Sequence, residues 1–233
     1  MICGSKNNLK KIKSVDRKII INNFNISPSH NAKYLGITID NTMNWSSHIH
    51  SLCTKISQTL GRIKSFSYLL PTKIKRIIYN ALLLPHLNYC STVWSSTSDY
   101  NINLLQKLLN RACRSALDIK DTRTNVILMH KRLHWLPIKQ LLKFNIACEM
   151  FKCINNISNY NINFPPIINT IHNYPTRNNN LFFLPQTNLN LPESAFNIKG
   201  PALWNSLSDE LKNSTSLNIF KRKYKKLLFS ELG

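Results

Sequence analysis

The chain has 233 residues, enough for one large domain or two small ones with a buried core, and 31 Lys and Arg against 10 Asp and Glu give it a net charge of +21. Its five glycines stand at 4, 36, 61, 200 and 233, so no G-x-G pair exists, which excludes the glycine-rich phosphate loops of dinucleotide-binding and Walker-type folds. No stretch approaches the ~18 apolar residues of a membrane helix, and the opening MICGSKNNLKK lacks a hydrophobic signal region. The expectation is an intracellular chain, nuclear or cytoplasmic and not secreted, with its six cysteines reduced.

The first forty residues read as strands. Ile19 and Ile21 alternate with polar neighbours, Asn22-Asn23 offers a turn, and Lys33–Asp40 (KYLGITID) alternates with Leu35, Ile37 and Ile39 on one side. After Trp45 the period changes to about 3.6. Ile49, Leu52, Ile56, Leu60 and Ile63 mark one face of a long helix that Ser46 or Ser47 would cap. A second helix, 72–84, uses Ile74, Ile77, Ile78, Ala81 and Leu82 as its stripe and ends at Pro85. The third, 101–117, carries Ile102, Leu105, Leu108, Leu109, Ala112 and Ala116. A fourth starts at Pro137, runs to Cys153 and is apolar on most sides, which predicts a central position. Residues 154–190 are rich in Asn and Pro and read as a long connection. Gly200-Pro201-Ala202-Leu203-Trp204 reads as a helix start, and 216–229 as a last helix with Phe220, Tyr224, Leu227 and Leu228 on one face.

The charge is not uniform: net +16 over residues 1–150, zero over 151–210 and +5 over 211–233. Such an excess predicts a polyanionic partner, RNA or DNA, in preference to anionic lipid. Lys55, Arg62 and Lys64, then Lys73, Lys75 and Arg76, then Lys107, Arg111 and Arg114 lie on three successive amphipathic helices with few neutralising acids, as expected of phosphate contacts. The terminal FKRKYKK (220–226) reads first as the wet face of a helix and second as an import signal.

Chemistry that makes or breaks bonds has no clear carrier. His130 and His134 are four apart, but no Glu follows the first, so the zinc-protease pattern fails. Cys148 and Cys153 suit a core helix, and His48 and His50 suit a cap or core better than ligation. No G-x-S-x-G elbow exists, and Asp118 with Asp121 makes a poor metal pair at a helix end. The expectation is no catalytic set, no metal site, no membrane partner and no small-molecule substrate.

The motifs taken in order are more specific. KYLGITID followed by Trp45 and His48, then LLPHLNYCSTVW (83–94), LLQKLLNRACR (104–114), RLHWLPI (132–138) and GPALWNSL (200–207) resemble the reverse transcriptases of non-LTR, LINE-type retrotransposons. The palm of that family carries its metal-binding aspartates in two motifs upstream of KYLG, one of them an aromatic-Ala-Asp-Asp turn, and no Asp-Asp pair occurs in this sequence.

The resemblance implies a mainly α fold with a short antiparallel β piece at its start. It divides the chain into last palm strands (1–44), a helical thumb (45–120), central helices (121–153), a connection (154–199) and a C-terminal helical segment (200–233). It likens Lys33, Tyr34, Leu35 and Gly36 to a primer grip, a hairpin that holds the 3′ end of the growing strand, with Lys33 beside a phosphate; by its apolar side chain alone Leu35 also reads as core. The implied partner is an RNA–DNA duplex, and the Mg²⁺ of a full-length polymerase would have no holder here. The alternative is a free-standing basic helical protein that binds RNA or DNA.

Overall fold

In the computed structural model, which describes residues 1–13, 19–121, 123–158, 164–168, 181–184 and 196–232, the chain is mainly α-helical with two short antiparallel hairpins near its start. Helix α1 (Lys6–Lys13) replaces the strand expected there: Leu9 and Ile12 are three apart, a helical and not a strand spacing, and the Ser5 hydroxyl accepts the Asn8 N–H at 3.2 Å. Strands β1 (Ile19–Ile21) and β2 (Phe24–Ile26) pair through Ile21 and Phe24 around the Asn22-Asn23 turn. Both asparagines take positive φ (49° and 63°), the left-handed region that Asn tolerates and a two-residue hairpin requires. Strands β3 (Asn31–Tyr34) and β4 (Ile37–Asp40) form the second hairpin.

Helix α2 (Ser46–Ser67) buries the face its period announced, Ile49, Leu52, Ile56, Leu60 and Ile63, mainly against β4 and α6 (Asp99–Ala116). Its cap differs from the serines expected. Trp45, in the left-handed region at φ 66°, is the capping residue, and Asp40 and Asn44 accept the Trp45 and Ser46 N–H groups. Helix α6 presents Leu105, Leu109, Ala112 and Ala116 to α2, and the Ser98 hydroxyl accepts the Asn101 N–H at its start. Each fully buried leucine of this seam contributes about 2 kcal/mol of transfer free energy.

Helix α3 (Thr72–Leu82) corrects the face that the sequence predicted. Ile74, Ile77 and Leu82 are exposed, and the buried positions are Lys75, Tyr79 and the following Leu83. Two polar anchors turn the helix this way: the Lys75 ammonium meets Asp118, and the Tyr79 hydroxyl donates to Ser115 Oγ at 2.8 Å. Pro85 does not end the chain's helical run but opens α4 (Leu84–Asn88), where a missing N–H costs nothing, and α5 (Ser91–Trp94) follows.

Helix α7 (Val126–Leu133), capped by the Asn125 side chain, leads through His134 in the left-handed region to α8 (Ile138–Ile154). Apolar on most sides, α8 is central as expected. Ile138 and Leu142 belong to the core of α2, α3 and α6, while Cys148, Met150 and Phe151 belong to a second core with α9 (Phe196–Asn205), α10 (Asp209–Lys212) and α11 (Leu217–Ser230). Phe151 and Phe220 stack at 4.8 Å in that second core, with Trp204 and Tyr224 about Phe220. Gly200 permits the closest approach of α9 to α8: a Cβ there would lie 2.6 Å from Met150 Sδ. The GPALW motif is therefore mid-helix and not a helix start, with Pro201 inside α9.

Most of the Asn- and Pro-rich stretch lies outside the described residues. Of what is described, Ile167 bridges Phe182, and the Asn205 amide clamps the Phe182 backbone on both its N–H and its C=O (3.0 and 2.9 Å). No helix among the described residues is long and apolar enough to cross a membrane.

Candidate nucleic-acid interface

The KYLG segment is a hairpin tip and not one continuous strand. Tyr34 pairs with Ile37 across a two-residue turn in which Leu35 (φ 44°) and Gly36 (φ 80°) both take positive φ. Glycine is at home there, whereas leucine costs of order 1 kcal/mol. Leu35 gains no burial in return. Its side chain is 73% exposed, which corrects its reading as core, while Ile37 beyond the turn is buried. The contact that holds the strained tip is a hydroxyl: Tyr89 donates to the Leu35 carbonyl at 2.7 Å, and its ring lies 3.5 Å from the place of a Cβ on Gly36. Lys33, Tyr34, Leu35 and Gly36 are thus presented together to solvent. Tyr89 lies in the LLPHLNYCSTVW motif (83–94), but nothing in that run by itself marks its hydroxyl as the hairpin's partner.

Two polar groups fasten this hairpin to α2. Asp40 is buried and accepts four hydrogen bonds: from the Thr42 hydroxyl and N–H and the Asn44 N–H on Oδ1, and from the Trp45 N–H on Oδ2 at 2.7 Å. Burial alone raises its pKa, but the hydrogen bonds from the Thr42 hydroxyl and the three N–H groups together outweigh it and hold the carboxyl below its ordinary value. His48 Nδ1 accepts the Thr38 N–H at 3.4 Å, and burial, with a smaller contribution from Lys55, keeps the ring neutral by lowering its pKa. His48 is therefore a core residue, as its position suggested.

Of the nine basic residues nominated on the helices, six are exposed. Lys55 and Arg62, seven apart, share one flank of α2, and Lys64 stands on the other; Lys73 is at the start of α3, and Lys107 and Arg111 lie one turn apart on the outer face of α6. Lys75 leaves the set. It is 2% exposed and its ammonium is committed to Asp118, which sits just past the end of α6 in the left-handed region. Arg76 is half-buried and lines a cleft described below, and Arg114 is half-buried with its Nε enclosed.

The groups considered for metal or nucleophile chemistry are engaged elsewhere. His130 is fully buried, with Nδ1 on the Trp135 carbonyl at 3.0 Å and Nε2 facing Gln106 and Asn110, so the Nδ1–H tautomer is assigned from the carbonyl partner. Burial lowers its pKa, and the hydrogen bond to Trp135 opposes that in part. Cys113 and Cys148 are buried thiols, pushed up to about 12 chiefly by burial. Among the described residues, no group of three or more His, Cys, Asp or Glu side chains is placed to hold a metal ion.

Part of the chain is similar to a Drosophila melanogaster protein described as a probable RNA-directed DNA polymerase from transposon BS. The two are 27% identical over 113 residues, which is 47% of this chain and 12% of that protein's length. No family model matches the sequence, and no solved structure matches it. At the level of the broad family, the similarity links the chain to transposon-encoded reverse transcriptases.

Proposed function

We propose that this chain is the C-terminal part of a non-LTR retrotransposon reverse transcriptase, comprising the last palm strands, the thumb and the C-terminal helices. In this role it grips template–primer duplex without carrying the polymerising metals. The observation that carries the reading is the bond from the Tyr89 hydroxyl to the Leu35 carbonyl, which joins two of the motifs on which the resemblance rests into one exposed tip. Beside this primer-grip-like tip, the exposed cations of α2, α3 and α6 meet phosphates and read no sequence. Two carboxylates of the helical body and its hairpin joint are already engaged, Asp40 by four donors and Asp118 by Lys75.

The test is a salt titration of binding to an RNA–DNA hybrid, read by fluorescence anisotropy. Five or six phosphate contacts give a slope of log K against log salt of about −4.5 to −5.4, taking ~0.9 per phosphate. The double variant Lys107→Ala/Arg111→Ala lowers that slope by about two with the fold intact, since both side chains are exposed. An unchanged slope refutes the assignment of this face. Preference for one sequence over scrambled duplexes points instead to a free-standing specific binder.

A further inference from the structure

A cleft of about 1060 Å³ runs between the two cores, walled by α3 to α5 on one side and α11 on the other, with α8 as its floor. Four cations line it, Arg76, Lys152, Lys221 and Lys225, against a single carboxylate, Glu149. Lys152 holds that carboxylate at 2.7 Å, whereas Arg76, Lys221 and Lys225 have no carboxylate partner among the described residues. Lys221 and Lys225 are one turn apart on α11, next to its buried Phe220 and Tyr224 face. They are half-buried, not on the wet side that Arg222 and Lys226 occupy. The fields of Lys221 and Lys152 both reach the Cys148 thiol on the floor, so positive charge converges there from two helices.

Cations drawn out of water without counter-charges repel one another and lose hydration, and burial accordingly lowers the pKa of Lys225. An anion bound between the walls relieves both costs. Apart from His134, the rest of the lining has no Lys, Arg, His, Asp or Glu and suits a base: Val93 is exposed at the rim, and Phe144, lying flat against Tyr224, and Phe196 supply apolar surface. Asn145 supplies an amide beside them, oriented by its bonds to Asn88 and Ser91. Phosphate-binding cations alternating with apolar faces are the pattern of single-strand grooves.

We propose that this cleft binds a single-stranded nucleic-acid segment, with phosphates on Arg76, Lys221 and Lys225 and bases against Phe144, Val93 and Phe196. The volume is at the top of the ~300–1,000 Å³ range of small-ligand sites, room for about two or three nucleotides and too small for a duplex. The site is separate from the tip and the α2 and α6 cations described above, and it does not depend on their duplex reading.

The experiment uses the full chain and two probes: a fluorescein-labelled single-stranded hexamer of dT and the RNA–DNA hybrid. Lys221→Gln/Lys225→Gln keeps most of each apolar stem and removes the charge. It weakens hexamer binding about tenfold or more and lowers its salt slope by about 1.4, two phosphates at ~0.7 each, while hybrid binding changes less than twofold. Lys107→Ala/Arg111→Ala gives the converse. Photocrosslinking of wild-type protein to a hexamer carrying 4-thiothymidine, which reacts through its base, places adducts at or beside Val93, Phe144 or Phe196, a readout that needs no variant to fold. Equal loss for both probes, no loss for the hexamer, or adducts confined to the KYLG tip overturns the proposal. Displacement of the hexamer by micromolar ATP also overturns it, in favour of a mononucleotide as the source of the phosphate.

Discussion

Asp40 is the joint between the KYLG hairpin and the helical body, and its removal is a calculable perturbation. In Asp40→Ala the Trp45 N–H loses its acceptor in a buried position, which costs about 1–3 kcal/mol. The Thr42 and Asn44 N–H groups are less enclosed, and water replaces the carboxylate at about 0.5 kcal/mol each. The sum is about 2–4 kcal/mol, or roughly a 1 M fall in the urea midpoint at an m-value of about 2–3 kcal/mol/M. Tryptophan fluorescence reports it, since Trp45 is the residue released. The pH dependence fixes the mechanism. Asp40 titrates below its ordinary 3.8 when folded, so its contribution is fully present above that value and is lost as pH falls through the folded pKa. The stability gap between wild type and Asp40→Asn is therefore constant from neutral pH down to about 5 and narrows below about 4. A gap that stays flat through pH 3, or a cost of Asp40→Ala below about 0.5 kcal/mol, refutes the capping role.

Three further outcomes follow from the same geometry. Lys75→Met stays within about 1 kcal/mol of wild type in a urea titration, because an apolar stem of similar volume replaces a buried ion. Asp118→Ala costs about 1–2 kcal/mol by leaving the Lys75 ammonium without its partner, and a cost of Lys75→Met well above that of Asp118→Ala contradicts this. Tyr89→Phe lowers hybrid affinity while moving the thermal midpoint by no more than a few degrees, since it frees the hairpin tip and touches no core packing; anisotropy and a thermal melt on the same sample decide it. At pH 8, Cys3 alkylates in the native protein while Cys113 and Cys148, with thiols pushed up to about 12, are protected, which mass spectrometry after iodoacetamide checks.

The helices that one strong period defines were legible from sequence: α2 and α6 carry their buried faces where the apolar residues recur, because packing follows the stripe, while α8 was legible as central from being apolar on most sides. Helix α3 has an equally regular stripe, yet only Ile78 of it packs on the core, and Lys75 and Tyr79 take the buried positions. Periodicity locates an amphipathic helix but not its rotation when a polar pair such as Lys75 and Asp118 supplies a competing anchor 43 positions apart. The same long range hid the tip contact, since Leu35 and Tyr89 lie 54 residues apart. The alternation of KYLGITID marks β pairing on either side of Leu35-Gly36, but the pattern of side chains does not report φ and so does not show the turn that divides it. Only Gly36 hinted at a turn, and Leu35 in the left-handed region ran against its propensity. The cleft was invisible because Arg76, Lys152 and Lys221 come from three separated segments, and the terminal basic run gives no sign by itself of which lysines face inward.

Charge links these surfaces to folding. Among the described residues, Asp118, Asp99, Glu149, Asp209 and Glu210 each pair with a lysine, and Asp40 is consumed by the hairpin joint. None of these acids neutralises Lys107, Arg111, Lys221 or Lys225, so part of the excess of positive charge lies on the α6 face and in the cleft. Self-repulsion of that kind opposes the compact state, and it is weakest when a polyanion lies along the cations. Binding and stability are then one equilibrium: a nucleic acid held by the folded chain in preference to the unfolded one stabilises it by RT ln(1 + [L]/Kd), about 2.7 kcal/mol at a hundredfold excess over Kd. The α8 helix supplies side chains to both cores, Ile138 and Leu142 to one and Met150 and Phe151 to the other, so neither core unfolds without exposing part of it.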